Sequence, residues 1–111
     1  MDDEEMIGDE ELGLPSTCAL CNRTEELTRH HLIPKSRHRK ARTRRNFSRD
    51  EMRALIIWVC WPCHKNLHRC LSEQEMAETF NSMAALKGHQ EVEKFTRWIC
   101  HKPPGFLPAG M

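Results

Sequence analysis

Residues 60–68, which read CWPCHKNLH, constrain this chain most, because two sets of metal ligands overlap there. Cys60 and Cys63 have the C-x2-C spacing of a knuckle, in which two thiolates reach one ion from a tight turn. His64 and His68 are four residues apart, so on a helix both imidazoles share one face and can bind a second ion. Partners for both pairs lie upstream, at Cys18, Cys21, His30 and His31.

The two C-x2-C pairs predict a closed structural zinc site, with Zn²⁺ held by Cys18, Cys21, Cys60 and Cys63. Such a site would supply folding energy to a chain of 111 residues that is only 39% hydrophobic. Six cysteines could instead form three disulfides in a secreted protein, but the acidic N-terminus lacks a signal-peptide pattern. We therefore expect a cytoplasmic protein with reduced thiols. We expect Cys70 and Cys100 to be buried or partly buried thiols outside the site.

The histidines predict a second metal site of another kind. Neighbouring side chains on an extended segment point to opposite sides, so His30 and His31 should do different jobs. One can bind a metal with His64 and His68, while the other acts as a general base near neutral pH. Three protein ligands with open positions are typical of a catalytic metal site.

A basic run separates the two halves of these sites. It comprises Lys35, Arg37, Arg39, Lys40, Arg42, Arg44 and Arg45, with His38 among them. We expect an exposed loop, because so many like charges repel one another in a packed element. The run suits the neutralisation of nucleic-acid phosphates, although a merely solubilising surface would look the same.

The chain divides into three parts. Residues 1–15 are predicted to be an acidic disordered tail, residues 16–102 the domain and residues 103–111 a C-terminal tail. The first eleven residues hold seven of the 16 acidic residues and no basic one, so the rest is basic. The acidic tail is either a solvated terminus or a cover for the basic surface. No apolar run approaches the length of a membrane helix, and we expect no membrane partner.

Local patterns predict an α+β fold. We expect strands at residues 27–34 and 56–59, because both segments are apolar or β-tolerant. Ser48 with Glu51 and Ser72 with Glu75 form capping-box patterns that open helices. The expected helices cover residues 48–55, 62–71, 72–88 and 90–101.

At these residues the chain resembles the HNH nucleases of the ββα-metal superfamily. The matching pieces are the two knuckles, the run His30-His31-Leu32-Ile33-Pro34 and the pair His64-x3-His68, which also resembles the colicin-type DNases. The likeness covers roughly residues 18–100. It implies a small ββα-metal fold stapled by the four-cysteine zinc site, with additional C-terminal helices.

The resemblance also implies roles. His31, which has Pro34 three residues on, matches the general base, whereas His30, His64 and His68 match ligands of the catalytic metal. Imidazole ligands favour zinc, nickel or manganese over magnesium, and the identity of the ion stays open. The family's central Asn is missing from residues 53–59; the nearest candidates are Asn46 and Asn66.

Three functions follow as hypotheses. The first is a metal-dependent HNH endonuclease that cuts DNA, with RNA left open and little sequence preference, because a basic loop contacts the backbone. The second is a non-catalytic zinc module that binds nucleic acid or a protein partner on the same fold. The third treats every Cys and His as a zinc-storage or scaffold ligand. The oligomeric state stays open.

Overall fold

A two-stranded antiparallel sheet joins distant parts of the chain. The structure, a computed structural model, describes residues 15–111, so most of the predicted acidic tail lies outside the described residues. Strand β1 (Leu27–His31) pairs with β2 (Ile56–Cys60), and the register sets Leu27 opposite Cys60 and His31 opposite Ile56. The start of β1 therefore meets the end of β2, which brings the two knuckles together.

Six helices accompany the sheet in residues 15–111. They are α1 (Ala41–Asn46), α2 (Arg49–Ala54), α3 (Trp61–Cys70), α4 (Glu73–Glu78), α5 (Met83–Gly88) and α6 (Gln90–Ile99). The fold is α+β, with a small two-stranded sheet and several helices. No helix in this part of the chain is long and apolar enough to cross a membrane.

The basic run is more ordered than the sequence predicts. A 3₁₀ turn (Lys35–Arg37) and helix α1 replace the expected loop. Arg42 lies 3.2 Å and Arg37 4.0 Å from the carboxylate of Glu78 on α4, which reduces the repulsion within the run. The prediction of a loop was wrong. It considered only the repulsion among neighbouring positive charges and could not include the carboxylate of Glu78, which is remote in sequence.

The helix predicted over residues 72–88 is interrupted. Helix α4 starts with the expected capping box of Ser72 and Glu75 but ends at Glu78. The Asn81 side chain donates to the carbonyl of Ala77 at 2.9 Å, so it takes the acceptor that the backbone of a continuing helix would use. Ser82 then caps α5 by accepting from the backbone of Ala85.

The main core lies between the sheet and helices α3, α5 and α6. Its fully buried members include Val59, Leu67, Leu86 and Ile99. A second, smaller cluster joins the segment after β1 to α2 and α4, and it consists of Ile33, Met52 and Ala77 with Phe47 and Leu55 at its edge. The main core holds the sheet against α3. The smaller cluster holds α2 against α4 and the segment after β1.

The C-terminal residues, predicted as a tail, are held against the domain. Arg23 donates to the carbonyl of Pro103 at 2.7 Å, and the backbone N–H of Gly105 donates to the carboxylate of Glu25. The ring of Phe106 lies 6.0 Å from that of Trp98. These contacts anchor residues 103–106 beside the first knuckle.

Candidate metal centres

The four knuckle cysteines form a buried cluster whose sulfur atoms all lie within 4.8 Å of one another. The sulfurs of Cys21 and Cys60 are 3.7 Å apart. That separation excludes a disulfide bond of about 2.05 Å. It matches the edge of about 3.8 Å of a tetrahedron with zinc–sulfur bonds of about 2.3 Å. The cluster could hold a metal ion such as zinc, and all six cysteines of the chain are free thiols.

The first knuckle is shaped to support thiolate charge. The backbone N–H groups of Leu20 and Cys21 both donate to the Cys18 sulfur at 3.4 Å. Asn22 closes the turn with a φ of 66°, a left-handed conformation that Asn tolerates better than most residues. The N–H of Cys18 donates to the carbonyl of Arg23 at 2.9 Å, which completes the loop.

Crowding of the four sulfurs opposes their joint ionisation. Hydrogen bonding from Cys21, and next from Cys60, lowers the pKa of Cys18. Hydrogen bonding with Cys18, and next with Cys21, raises the pKa of Cys63. A divalent cation between the sulfurs would remove this opposition, because metal binding favours the deprotonated thiols.

Arg23 is a charged residue beside the cluster that the sequence patterns did not single out. Arg23 is 5% exposed, and one of its guanidinium nitrogens donates to the Cys60 sulfur at 3.4 Å. The same side chain pairs with Glu25 at 2.9 Å. The guanidinium therefore offsets part of the negative charge that four thiolates would carry around one divalent ion.

Three histidines form a second cluster between β1 and α3. His30 lies near the end of β1, and His64 and His68 lie one turn apart on α3. The ring of His30 is 5.1 Å from that of His64 and 5.3 Å from that of His68. One nitrogen from each ring lies within 4.8 Å of the others. The structure thus brings together the three residues predicted as ligands of the second metal.

The second cluster fits a metal ion on two further grounds. The Nε2 atom of His30 is buried and has no hydrogen-bond partner within residues 15–111, as expected of a nitrogen reserved for a metal. Burial, followed by the proximity of His64, lowers the pKa of His30 to about 3. Burial also lowers the pKa of His64. Both rings are therefore neutral near pH 7, which is the form that binds metals.

Thr28 fixes the orientation of His64, although no sequence signal pointed to it. The Thr28 hydroxyl donates to the carbonyl of Val59 at 2.8 Å and lies 2.7 Å from Nδ1 of His64. Since the hydroxyl proton is used by Val59, the oxygen accepts from Nδ1–H. This tautomer leaves Nε2 of His64 as the nitrogen with a lone pair for a metal.

His31 stands apart from the three clustered histidines but lines the same cleft of about 180 Å³. Burial, followed by the positive charges of Lys35 and Arg29, lowers the pKa of His31, so its ring is neutral and can accept a proton. Glu73, at the start of α4, also lines this cleft and accepts a hydrogen bond from Ser36.

His38 does not line the histidine cleft, but its ring contacts that of His31. Their ring centroids are 6.2 Å apart. Nε2 of His38 lies 2.8 Å from the carbonyl of Ile33, to which it donates, so His38 restrains the loop that follows His31. Neither candidate Asn lies in the cleft: Asn46 donates to the carbonyl of Arg42, and buried Asn66 faces α6.

The seven basic residues of the run face different directions. Arg37 and Arg42 pair with Glu78, and Lys35 lines the histidine cleft. Arg39 and Arg44 line a separate basin, together with Arg49 and Arg53 of α2. Lys40 and Arg45 are exposed.

Outside both metal clusters, Cys70 is half-buried as expected, whereas Cys100 is exposed because it follows the last turn of α6.

The chain is similar in sequence to a known bacterial protein. The chain is 36% identical over 90 residues to YisB of Bacillus subtilis strain 168, and the match covers 78% of this chain and 76% of YisB. YisB is described as an uncharacterized protein. No family model and no solved structure matches the chain.

Proposed function

This chain belongs to the family of YisB, and we propose that it is a metal-dependent endonuclease of the HNH type that hydrolyses phosphodiester bonds in DNA. One observation carries the proposal: His31 lines the same cleft as the cluster of His30, His64 and His68 but does not join it. A free neutral imidazole beside three imidazoles that could bind a metal has the composition of a hydrolytic site.

The order of the elements supports the HNH assignment. Strand β1 carries the histidine pair, β2 leads into the second knuckle, and α3 carries the remaining two histidines. This strand–strand–helix sequence with ligands at both ends is the arrangement that the resemblance to the ββα-metal superfamily implies. The four-cysteine cluster would then be the structural zinc site that fixes β1 against α3.

Six of the side chains that line the cleft have a role in this proposal. His31 removes a proton from the attacking water, and burial keeps its ring in the neutral form that this requires. Arg29 and Lys35 attract the phosphate into the cleft. His30, His64 and His68 would hold a divalent ion, which when bound stabilises negative charge on the transition state and on the leaving 3′ oxygen.

His38 takes the task that the missing Asn performs in the resembled family, which is to hold the loop that positions the base. Its hydrogen bond to the carbonyl of Ile33 and its contact with His31 support this assignment. His38 is a positioning residue in this account, because it acts through His31.

A plasmid-nicking assay tests the proposal. Purified protein is incubated with supercoiled DNA and Mg²⁺, Mn²⁺, Ni²⁺ or Zn²⁺, beside the variants His31→Ala and His101→Ala. His101 is exposed and lies outside the cleft, so it is a matched control. We expect nicking by the wild type and by His101→Ala, and a loss of about 100-fold or more in His31→Ala, as for removal of a general base. Equal rates for all three proteins would contradict the role of His31.

A non-catalytic zinc module that binds nucleic acid is the second candidate. It is favoured by the absence of Asn from the residues that line the histidine cleft in residues 15–111. The same assay separates the candidates, because plasmid binding without cutting in any of the four metals would leave only this module.

A further inference from the structure

A second concave surface lies next to the histidine cleft. It is a basin of about 640 Å³ between the basic run and α2, and a volume of this size suits a ligand of nucleotide dimensions. Its floor includes the buried side chain of Met52 and the half-buried ring of Phe47. His38 belongs to its wall, and the ring of His38 lies 6.2 Å from that of His31.

Four arginines surround the apolar floor. Arg39 and Arg44 come from the basic run, and Arg49 and Arg53 lie four residues apart on α2 and so share one face of that helix. All four are exposed. Within residues 15–111 none of them forms an ion pair with a carboxylate, whereas Arg37 and Arg42 of the same run pair with Glu78.

We propose that this basin binds one unpaired nucleotide of a DNA strand, with its base on Phe47 and Met52 and its phosphates on the surrounding arginines. The inference rests on the proposed nuclease function and extends it to the form of the substrate. Aromatic rings stack on bases of any sequence, and arginine is the side chain best suited to phosphate, so the two halves of the basin match the two halves of a nucleotide.

The position of the basin has a consequence for substrate choice. Because His38 links its wall to His31, the bound nucleotide would lie beside the phosphate that His31 acts on. A base within an uninterrupted duplex is stacked and paired and must be extruded to enter the basin. The protein should therefore prefer single-stranded or partly unpaired DNA over continuous duplex.

Fluorescence anisotropy with the His31→Ala variant, which the proposed function predicts not to cut DNA, tests this preference. The probes are a labelled single-stranded 12-mer, an abasic 12-mer with the same phosphates, and a continuous hairpin duplex. We expect the normal strand to bind about tenfold or more tightly than the abasic strand, a difference of about 1.4 kcal/mol or more, because only the normal strand can stack a base on Phe47. Equal affinities for all three probes would overturn the proposal, because phosphate contacts alone would then explain binding.

Neighbouring arginines provide the matched control. Arg44 lines the basin and Arg45 does not, and both are exposed residues of α1. We expect Arg44→Gln to weaken binding of the single strand about fivefold more than Arg45→Gln does, an effect of about 1 kcal/mol. Equal losses would indicate a diffuse basic surface and contradict the basin.

Phe47→Leu tests the base contact while keeping an apolar residue against Ile33 and Met52. We expect it to reduce the difference between the normal and abasic strands; an unchanged difference would contradict stacking on Phe47. The experiment is independent of cutting. If the binding preferences hold but no metal supports nicking, the basin stands and the nuclease proposal fails.

Discussion

At the scale of single residues, hydrogen bonds rather than ligand spacing decide how the histidines are presented. His64 is visible as a ligand in the sequence, but the hydroxyl of Thr28 determines which of its nitrogens faces the cluster. His31 is visible as a base, but His38 restrains the loop behind it. Neither partner could be predicted, because each contact depends on side-chain geometry that no motif encodes.

Replacing Thr28 should weaken metal binding at the histidine cluster. We expect Thr28→Val to reduce Co²⁺ or Zn²⁺ affinity there by about 10- to 100-fold, as found for partners of metal-bound histidines, while Thr28→Ser keeps the hydroxyl and the affinity. Isothermal titration calorimetry of zinc-loaded protein measures this, with the exposed Thr24→Val as the control. Equal affinities in Thr28→Val and wild type would show that Thr28 does not orient His64.

Replacing His38 should lower turnover more than substrate binding. His38→Leu removes the donor to Ile33, so we expect kcat to fall about tenfold or more with a smaller change in KM, because the base is misplaced. His38→Gln places an N–H near the same carbonyl and should restore much of the rate. Steady-state nicking kinetics measure both parameters. A His38→Gln variant as slow as His38→Leu would contradict a positioning role.

At the scale of elements, local signals located the strands and most helix starts. The apolar segments at residues 27–31 and 56–60 form β1 and β2, and the predicted capping boxes of Ser48 and Ser72 are present. The errors arose where side chains act across the sequence or against the backbone. Glu78 orders the basic run from 36 residues away, and Asn81 ends the hydrogen-bonding pattern of α4.

The capping box of Ser72 gives a stability prediction for α4. Its hydroxyl accepts from the N–H of Glu75 at 3.0 Å, and α4 carries the buried Met76. We expect Ser72→Ala to reduce the free energy of unfolding by about 0.5–2 kcal/mol. Urea denaturation measures the loss, and Ser16→Ala, at an exposed position, should change stability far less. Equal stability of both variants would mean that the cap is energetically silent.

At the scale of the whole molecule, the two-stranded sheet organises everything else. Its register places the cysteine cluster where the start of β1 meets the end of β2. The histidine cluster lies between β1 and α3. The junction of β2 and α3 therefore supplies ligands to both clusters. Local ligand spacing pointed to the four cysteines, His64 and His68, whereas the choice of His30 over His31 came from the resemblance to the HNH nucleases. The sequence could not reveal the arginine-lined basin, because that surface depends on how α1 and α2 pack around Phe47 and Met52.

The central claim is that residues 60–68 contribute to two separate metal sites, one of cysteines and one of histidines. Native mass spectrometry of protein reconstituted with zinc tests it directly. We predict two ions per chain in the wild type and one ion in the double variant His64→Ala/His68→Ala, which leaves the cysteine cluster intact. One ion in both proteins would contradict the account, because the histidine cluster would then hold no metal and the proposed nuclease site would lose its basis.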